Sequence, residues 1–256
     1  MIGNSQWRLR IICYRVVLLI FASSFAQCHA SGPQTPENTG VSRCLFNEAS
    51  GHFEGGCGPL FGQTPAMTLA PVQAITTGRW RKDAQPVSVW SGDMTDKGYP
   101  NARLELEIYS DGTGVLRTEY GWYPVSHFSS STDSLNFELD ARHEVPPNDL
   151  DAAIIRRAAE ILSSTAVWNR ADTRDCPANA NTWSIYCALE KATGEVTGGV
   201  HHRRPALEVV REIVHDRTSN RPYHHSLMGY NNDPTTTLAD VRSLFAQALR
   251  QIQASQ

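Results

Sequence analysis

Residues 103–108, Arg-Leu-Glu-Leu-Glu-Ile, alternate polar and apolar without a break. A period of two is the mark of a β-strand with one face in the core. It turns Leu104, Leu106 and Ile108 inward and leaves the charges on an open face. Ser110-Asp111-Gly112 can then close a hairpin as a three-residue loop, with Gly112 in the left-handed position. The register that follows opposes Leu106 to Leu116, Leu104 to Thr118, Glu105 to Arg117 and Arg103 to Glu119. Apolar meets apolar and each charge meets its opposite, an agreement a wrong register would not give. Gly121-Trp122-Tyr123 extends the returning strand, Pro86 to Met94 precedes the hairpin and Ser134 to Asp140 follows it. The pattern predicts an antiparallel meander of about four or five strands, curved or partly closed.

At Pro146-Pro147-Asn148 the period changes. Asn148 caps a helix with Asp149 and Asp151 in its first turn and Leu150, Ile154, Ala158, Ile161 and Leu162 on one stripe. A second helix is predicted over about 182–193, with Gly194, Gly198 and Gly199 interrupting it. A third opens at Pro205, a favoured first helical position, and buries Leu207, Val210, Ile213 and Val214. The fourth follows Thr237, where Thr-Leu-Ala-Asp240 reads as a capping box, and buries Leu238, Val241, Leu244, Phe245, Ala248 and Leu249. The fold class is therefore α+β: an N-terminal antiparallel β-meander followed by a C-terminal four-helix domain.

The helical half carries short motifs: Trp168 after an apolar helix, Cys187-Ala188-Leu189, Tyr230-Asn231-Asn232-Asp233-Pro234, and Thr237-x-x-Asp240-Val241. Over about residues 152–250 these resemble a small helical domain of unknown function found in bacterial and phage proteins. This chain departs from that pattern at Tyr230, at the extra Asn of the loop, at Glu190 and in a basic insert around His201. The resemblance implies a helical fold and no activity.

The 256 residues are 41% hydrophobic and 19% charged, a globular composition that excludes collagenous, coiled-coil and wholly disordered chains. Arg8, Arg10 and Arg15 precede the apolar run Val16 to Ala22 and small residues ending at Ala30, the order of a secretory signal. We therefore expect a signal peptide over 1–30, a flexible leader over 31–42, a disulfide-stapled β region over 43–145 and a helical domain over 146–256. The mature protein is expected to be secreted or periplasmic, with lipid anchoring at Cys28 the lesser alternative. The apolar run is shorter than the roughly 20 residues of a membrane span. The net charge of −3 becomes more acidic once the three arginines leave, which argues against nucleic acid as a partner.

Cys44, Cys57, Cys176 and Cys187 remain in the mature chain, an even count that reads as disulfides in an exported protein. A two-residue turn at Ser50-Gly51 would set Cys44 opposite Cys57, and Cys176 lies near Cys187 across a helix entry. Neither pair has the spacing of a structural zinc site, so no metal is expected.

The conspicuous chemistry is His201-His202-Arg203-Arg204, directly before the helix at Pro205. Unpaired N–H groups at a helix start, with two guanidiniums and two imidazoles, can bind phosphate, sulfate or a carboxylated ligand. The competing structural reading pairs Arg203 and Arg204 with acids such as Glu195, Glu208 or Asp233. His201, His202, His224 and His225 lack a metal-binding spacing, and nearby arginines would repel a cation. Asn231, Asn232 and Asp233 form either a polar site loop or an ordinary turn before Pro234. Trp80, Trp90, Trp122 and Tyr123 are core aromatics, or a ligand platform if exposed together. No nucleotide-loop, dinucleotide or serine-nucleophile motif occurs, so no cofactor is implied. Two functional readings follow: a noncatalytic exported module binding an anionic small molecule or a protein partner, or a hydrolase-like enzyme joining His201 or His202 to Asp233 and the arginines at the junction of the halves.

Overall fold

The computed structural model describes residues 41–47, 52–55, 69–96, 99–132, 134–140, 144–219, 221 and 223–256. One curled antiparallel sheet contains β1 (Val41–Asn47), β2 (His52–Gly55), β3 (Ala70–Pro71), β4 (Ser88–Asp96), β5 (Tyr99–Ile108), β6 (Gly114–Arg117), β7 (Trp122–Ser130) and β8 (Ser134–Asp140). Its order is β2-β1-β8-β7-β6-β5-β4-β3. The meander is thus β4 to β8, with the β1–β2 hairpin added beside β8.

The β5–β6 hairpin has the expected register, with Glu105 opposite Arg117 and Leu106 opposite Leu116. Gly112 sits at φ 76° in its loop, where an L side chain would be strained. The strand then stops earlier than predicted. Thr118 N–H donates to the Gly121 carbonyl at 2.9 Å, and Thr118 Oγ1 accepts from the amides of Tyr120 and Gly121. This hydroxyl-capped turn reverses the chain, so Trp122 and Tyr123 begin β7 instead of extending β6. The first hairpin differs too. Cys44 lies opposite Gly55 and Asn47 opposite His52, a register two residues away from the expected one. As the first central residue, Ser50 suits neither favoured two-residue turn, type I′ needing positive φ at both central positions and type II′ a glycine at the first. The Cys44–Cys57 bridge itself lies outside the described residues, as do the signal and residues 31–40 of the leader, whereas Val41 and Ser42, expected in the leader, begin β1.

Five helices follow: α1 (Asp149–Ile161), α2 (Ile185–Thr197), α3 (Pro205–Arg217), α4 (Ser226–Asn232) and α5 (Leu238–Ala254). Asn148 and Thr237 each form the capping box their sequences call for. Helix α2 starts later than predicted, at the Ser184 cap, and runs through Gly194 to end at Gly198 with φ 83°. One glycine within a helix costs only about 1 kcal/mol, and this one is offset by the buried face of Ile185, Leu189 and Ala192. Helix α4 is unforeseen: Asn231 and Asn232 lie in its last turn, and Asp233 is its C-cap. The helices share a core that includes Ile154, Leu189, Val210, Leu244 and Phe245.

The β5–β6 hairpin is covered on both faces. Leu104, Leu106, Leu116, Leu135 and Leu139 fill one apolar cluster. The opposite face was expected to be open, yet Glu105 is 1% exposed, Glu107 3% and Arg117 0%. Residues 76–81 and the helical part cover it. Thr76 N and Oγ1 and Thr77 Oγ1 all donate to Glu105, while Tyr109 and Arg117 donate to Glu107. Trp122, fully buried, packs there with Val115 and Val145. Trp80, Trp90 and Tyr123 are half-buried against the cores, so the aromatics form no exposed platform. The covering segment crosses the helical part closely. Arg79 N–H donates to Thr197 O at 3.1 Å, and a Cβ on Gly199 would stand 2.3 Å from Thr76 O and 2.4 Å from Gly78 N.

Candidate functional site

The His201–Arg204 turn enters this junction and its four side chains separate. Arg204, fully buried, donates from Nε to Asp151 Oδ1 at 2.9 Å and from Nη1 to Arg79 O at 2.8 Å. Asp151 Oδ1 also accepts the Ala206 amide at 3.2 Å, and Oδ2 accepts the Asn148 amide at 2.9 Å. The anion expected at the start of α3 is therefore an internal carboxylate. Arg204 is structural, through a partner on α1 that is none of the acids proposed from sequence.

His201 is also drawn inward. Its Nδ1 accepts from Trp122 Nε1 at 2.9 Å and from the Arg203 amide at 3.1 Å, which leaves the ring proton on Nε2. Burial, then His202, Arg117, Arg203 and Arg204, push its pKa down to about 3, so the ring is neutral at ordinary pH. The His202 ring stacks on it at 5.2 Å between centroids.

His202 and Arg203 line a cavity of about 890 Å³, within the size range of small-molecule sites. Arg211 enters from α3, Arg174 from the loop before α2, and Arg103 from β5. His224 and His225 stand at the start of α4, and Tyr186 and Glu190 on α2. Arg203 and Arg211 share one carboxylate, Glu208, at 3.4 and 2.5 Å. Arg211 also donates to the His202 carbonyl at 2.6 Å, and Arg203 to the Glu119 carbonyl at 3.3 Å. The lining acids are engaged: Glu119 faces His202 Nε2 at 3.5 Å, and Glu190 accepts from Tyr186 Oη at 2.5 Å. Burial and this carboxylate raise the Tyr186 pKa, so the phenol keeps its proton. His202 and His225 are both depressed, burial being the first cause for each. A cleft with four guanidiniums against two carboxylates can hold an anion by charge-assisted hydrogen bonds.

Asn231, Asn232 and Asp233 do not line this cavity. Asn231 Oδ1 accepts from Trp168 Nε1 at 2.8 Å and the Ile185 amide at 3.0 Å, and its amide donates to Asn169 O at 2.9 Å. Asn232 grips both backbone groups of Asp172, at 2.7 and 2.9 Å. Asp233 accepts from Arg221, Tyr223 and Thr235. The two asparagines clamp the loop that carries Arg174, and Asp233 fastens the end of α4. The pairing of His201 or His202 with Asp233 is not formed.

The same loop is held by the Cys176–Cys187 disulfide, the local pairing expected from spacing. Arg174 sits at φ 65°, its amide donating to Asp172 Oδ1 at 2.7 Å and its guanidinium reaching His225 Nε2 at 3.1 Å. Sequence reasoning missed Arg103, Arg174 and Arg211 as site residues. For Arg211 a signal existed: Glu208 and Arg211 are three apart on a helix that follows the basic turn. Among the described residues no group of three His, Cys, Asp or Glu side chains could hold a metal ion. No helix among them is long and apolar enough to cross a membrane.

Residues 146–251 match the model of a family of unknown function, DUF6197. The match spans α1 to α4 and most of α5 and leaves the sheet outside. It agrees with the uncharacterised helical domain read from the motifs, and brings no chemistry with it. No curated protein and no solved structure matches the chain. Of the cleft residues, Arg174, His202, Arg203 and Arg211 fall within the matched stretch, while Arg103 lies on β5 and Glu119 in the turn between β6 and β7.

Proposed function

We propose that this protein is a noncatalytic, exported binding module that captures an anionic ligand in the basic cleft. The observation that carries this reading is the grouping of Arg103, Arg174, Arg203 and Arg211 around one cavity, four cations against the two lining carboxylates Glu119 and Glu190. Export rests on the N-terminal pattern, and the Cys176–Cys187 disulfide supports it because such bonds persist in oxidising compartments. A His–Asp hydrolase finds no such support, since both Asp233 oxygens are bonded to residues outside the cleft.

The test is a thermal-shift titration with pyrophosphate against chloride controls of matched ionic strength. Preferential binding to the folded state raises the melting temperature. The rise is expected in the wild type and should be lost in Arg203→Gln/Arg211→Gln. Arg204 is unsuitable for this purpose because its removal strands buried Asp151. No pyrophosphate-specific rise in the wild type would overturn the proposal.

A further inference from the structure

Beside the basic cleft lies a second cavity of about 320 Å³. Pro177, Trp183 and Val200 line it together with the Cys176–Cys187 disulfide. Glu190 and Val200 line both cavities, so the two spaces meet at these side chains. Val200 is 43% exposed, one of three large apolar residues that stand exposed among those described. An apolar side chain at the joint of two cavities has a use if a ligand covers it.

We propose that the ligand is an amphiphilic small molecule, its anionic group among Arg174, Arg203 and Arg211 and its planar apolar group in the adjoining groove against Trp183 and Val200. This rests on the anion-binding reading of the cleft and adds the ligand's class and orientation. The size fits: an apolar cavity of about 150 Å³ already accommodates benzene, and the groove has about twice that volume. Charge fixes the direction. The guanidiniums lie on the cleft side, whereas the Glu190 carboxylate, bonded only to the neutral Tyr186 phenol, stands at the threshold. It repels an anion that moves toward Trp183. Lys191 does not reverse this, because its ammonium is paired with Glu195 at 3.0 Å and lies 5.0 Å from the centre of the Trp183 ring. A bare inorganic anion would leave the indole, the Val200 methyls and the disulfide sulfurs wet, while an aryl substituent would bury them.

Calorimetric titration of the full-length, oxidised protein with inorganic phosphate and with phenyl phosphate tests the inference. Phenyl phosphate is expected to bind about tenfold more tightly, and that ratio should fall to about twofold in Val200→Ser and in Trp183→Leu, each checked for a cooperative melt. Val200 is exposed, so its variant keeps the test valid should Trp183→Leu fail to fold. Binding of neither anion would overturn the cleft reading itself. Equal affinity for both would leave that reading standing and overturn the amphiphile. A tenfold preference untouched by both substitutions would also overturn it, because the ring would then lie elsewhere.

Discussion

Two residues at the junction do what no surface residue could. Asp151 is a fully buried carboxylate that closes one helix start through Asn148, meets another at Ala206 and neutralises Arg204. Removing one partner of such a pair leaves the other charge in a low-dielectric setting, at a cost of about 3–5 kcal/mol. Asp151→Asn should therefore destabilise the fold by about that amount in denaturant unfolding, and Arg204→Met in the Asp151→Asn background should recover part of the loss. Gly199 presents a steric case. Its missing Cβ is what lets the 76–78 backbone pass, and neither chain can yield as a flexible side chain would. Gly199→Ala should cost about 1–3 kcal/mol, read as a lower denaturation midpoint. Cavity-lining Ala178→Gly, by contrast, should stay close to wild type.

At the scale of elements, the β5–β6 hairpin shows what alternation can and cannot say. Its register was legible because Gly112 fixes the loop and because one-residue slips would turn Leu104 and Leu106 outward. Its solvent exposure was not, since a period of two assigns Glu105 and Glu107 to a common face without saying what covers that face. Thr76 and Thr77 do so over Glu105, and both come from a segment without periodicity. Helix α4 escaped for a related reason: Ser226–Asn232 is too short for a 3.6-residue stripe to stand out. The loop before α2 depends on a covalent tie. The bridge spans a sequence separation of 11, for which loop-closure entropy gives about 3 kcal/mol. Cys176→Ser/Cys187→Ser should lose roughly that stability in urea titration. It should also weaken pyrophosphate binding more than its stability loss explains, because Arg174 precedes Cys176 by two residues and would lose its anchoring.

For the molecule as a whole, the cleft exists only because the sheet and the helices meet. His202 and Arg203 were legible as a basic cluster, whereas Arg103, Arg174 and Arg211 reach the same cavity from β5, a loop and α3. No local pattern announces such convergence. The central tie is Trp122 Nε1 to His201 Nδ1, a sheet indole donating to an imidazole of the helical part. That bond requires an unprotonated Nδ1, so the union of the halves is linked to pH. The His201 imidazole titrates near 6.5 in an unfolded chain and at about 3 when folded. Between those values the unfolded chain holds the extra proton, so stability is full above pH 6.5 and falls as pH drops toward 3. Around His201, Arg117, Arg203 and Arg204 are cationic and His202 is itself depressed, so all four act in the same direction. The slope approaches about 1.4 kcal/mol per pH unit for one proton. Between pH 7 and 5.5, above the range of ordinary carboxylates, His201 should contribute a loss of about 1 kcal/mol. His201→Asn keeps an acceptor for the Trp122 indole without a titrating ring, so its stability should change less with pH over that interval, by about the same amount. Chemical denaturation at both pH values measures the difference, and parallel pH profiles for the two proteins would show that the imidazole is not the linked group.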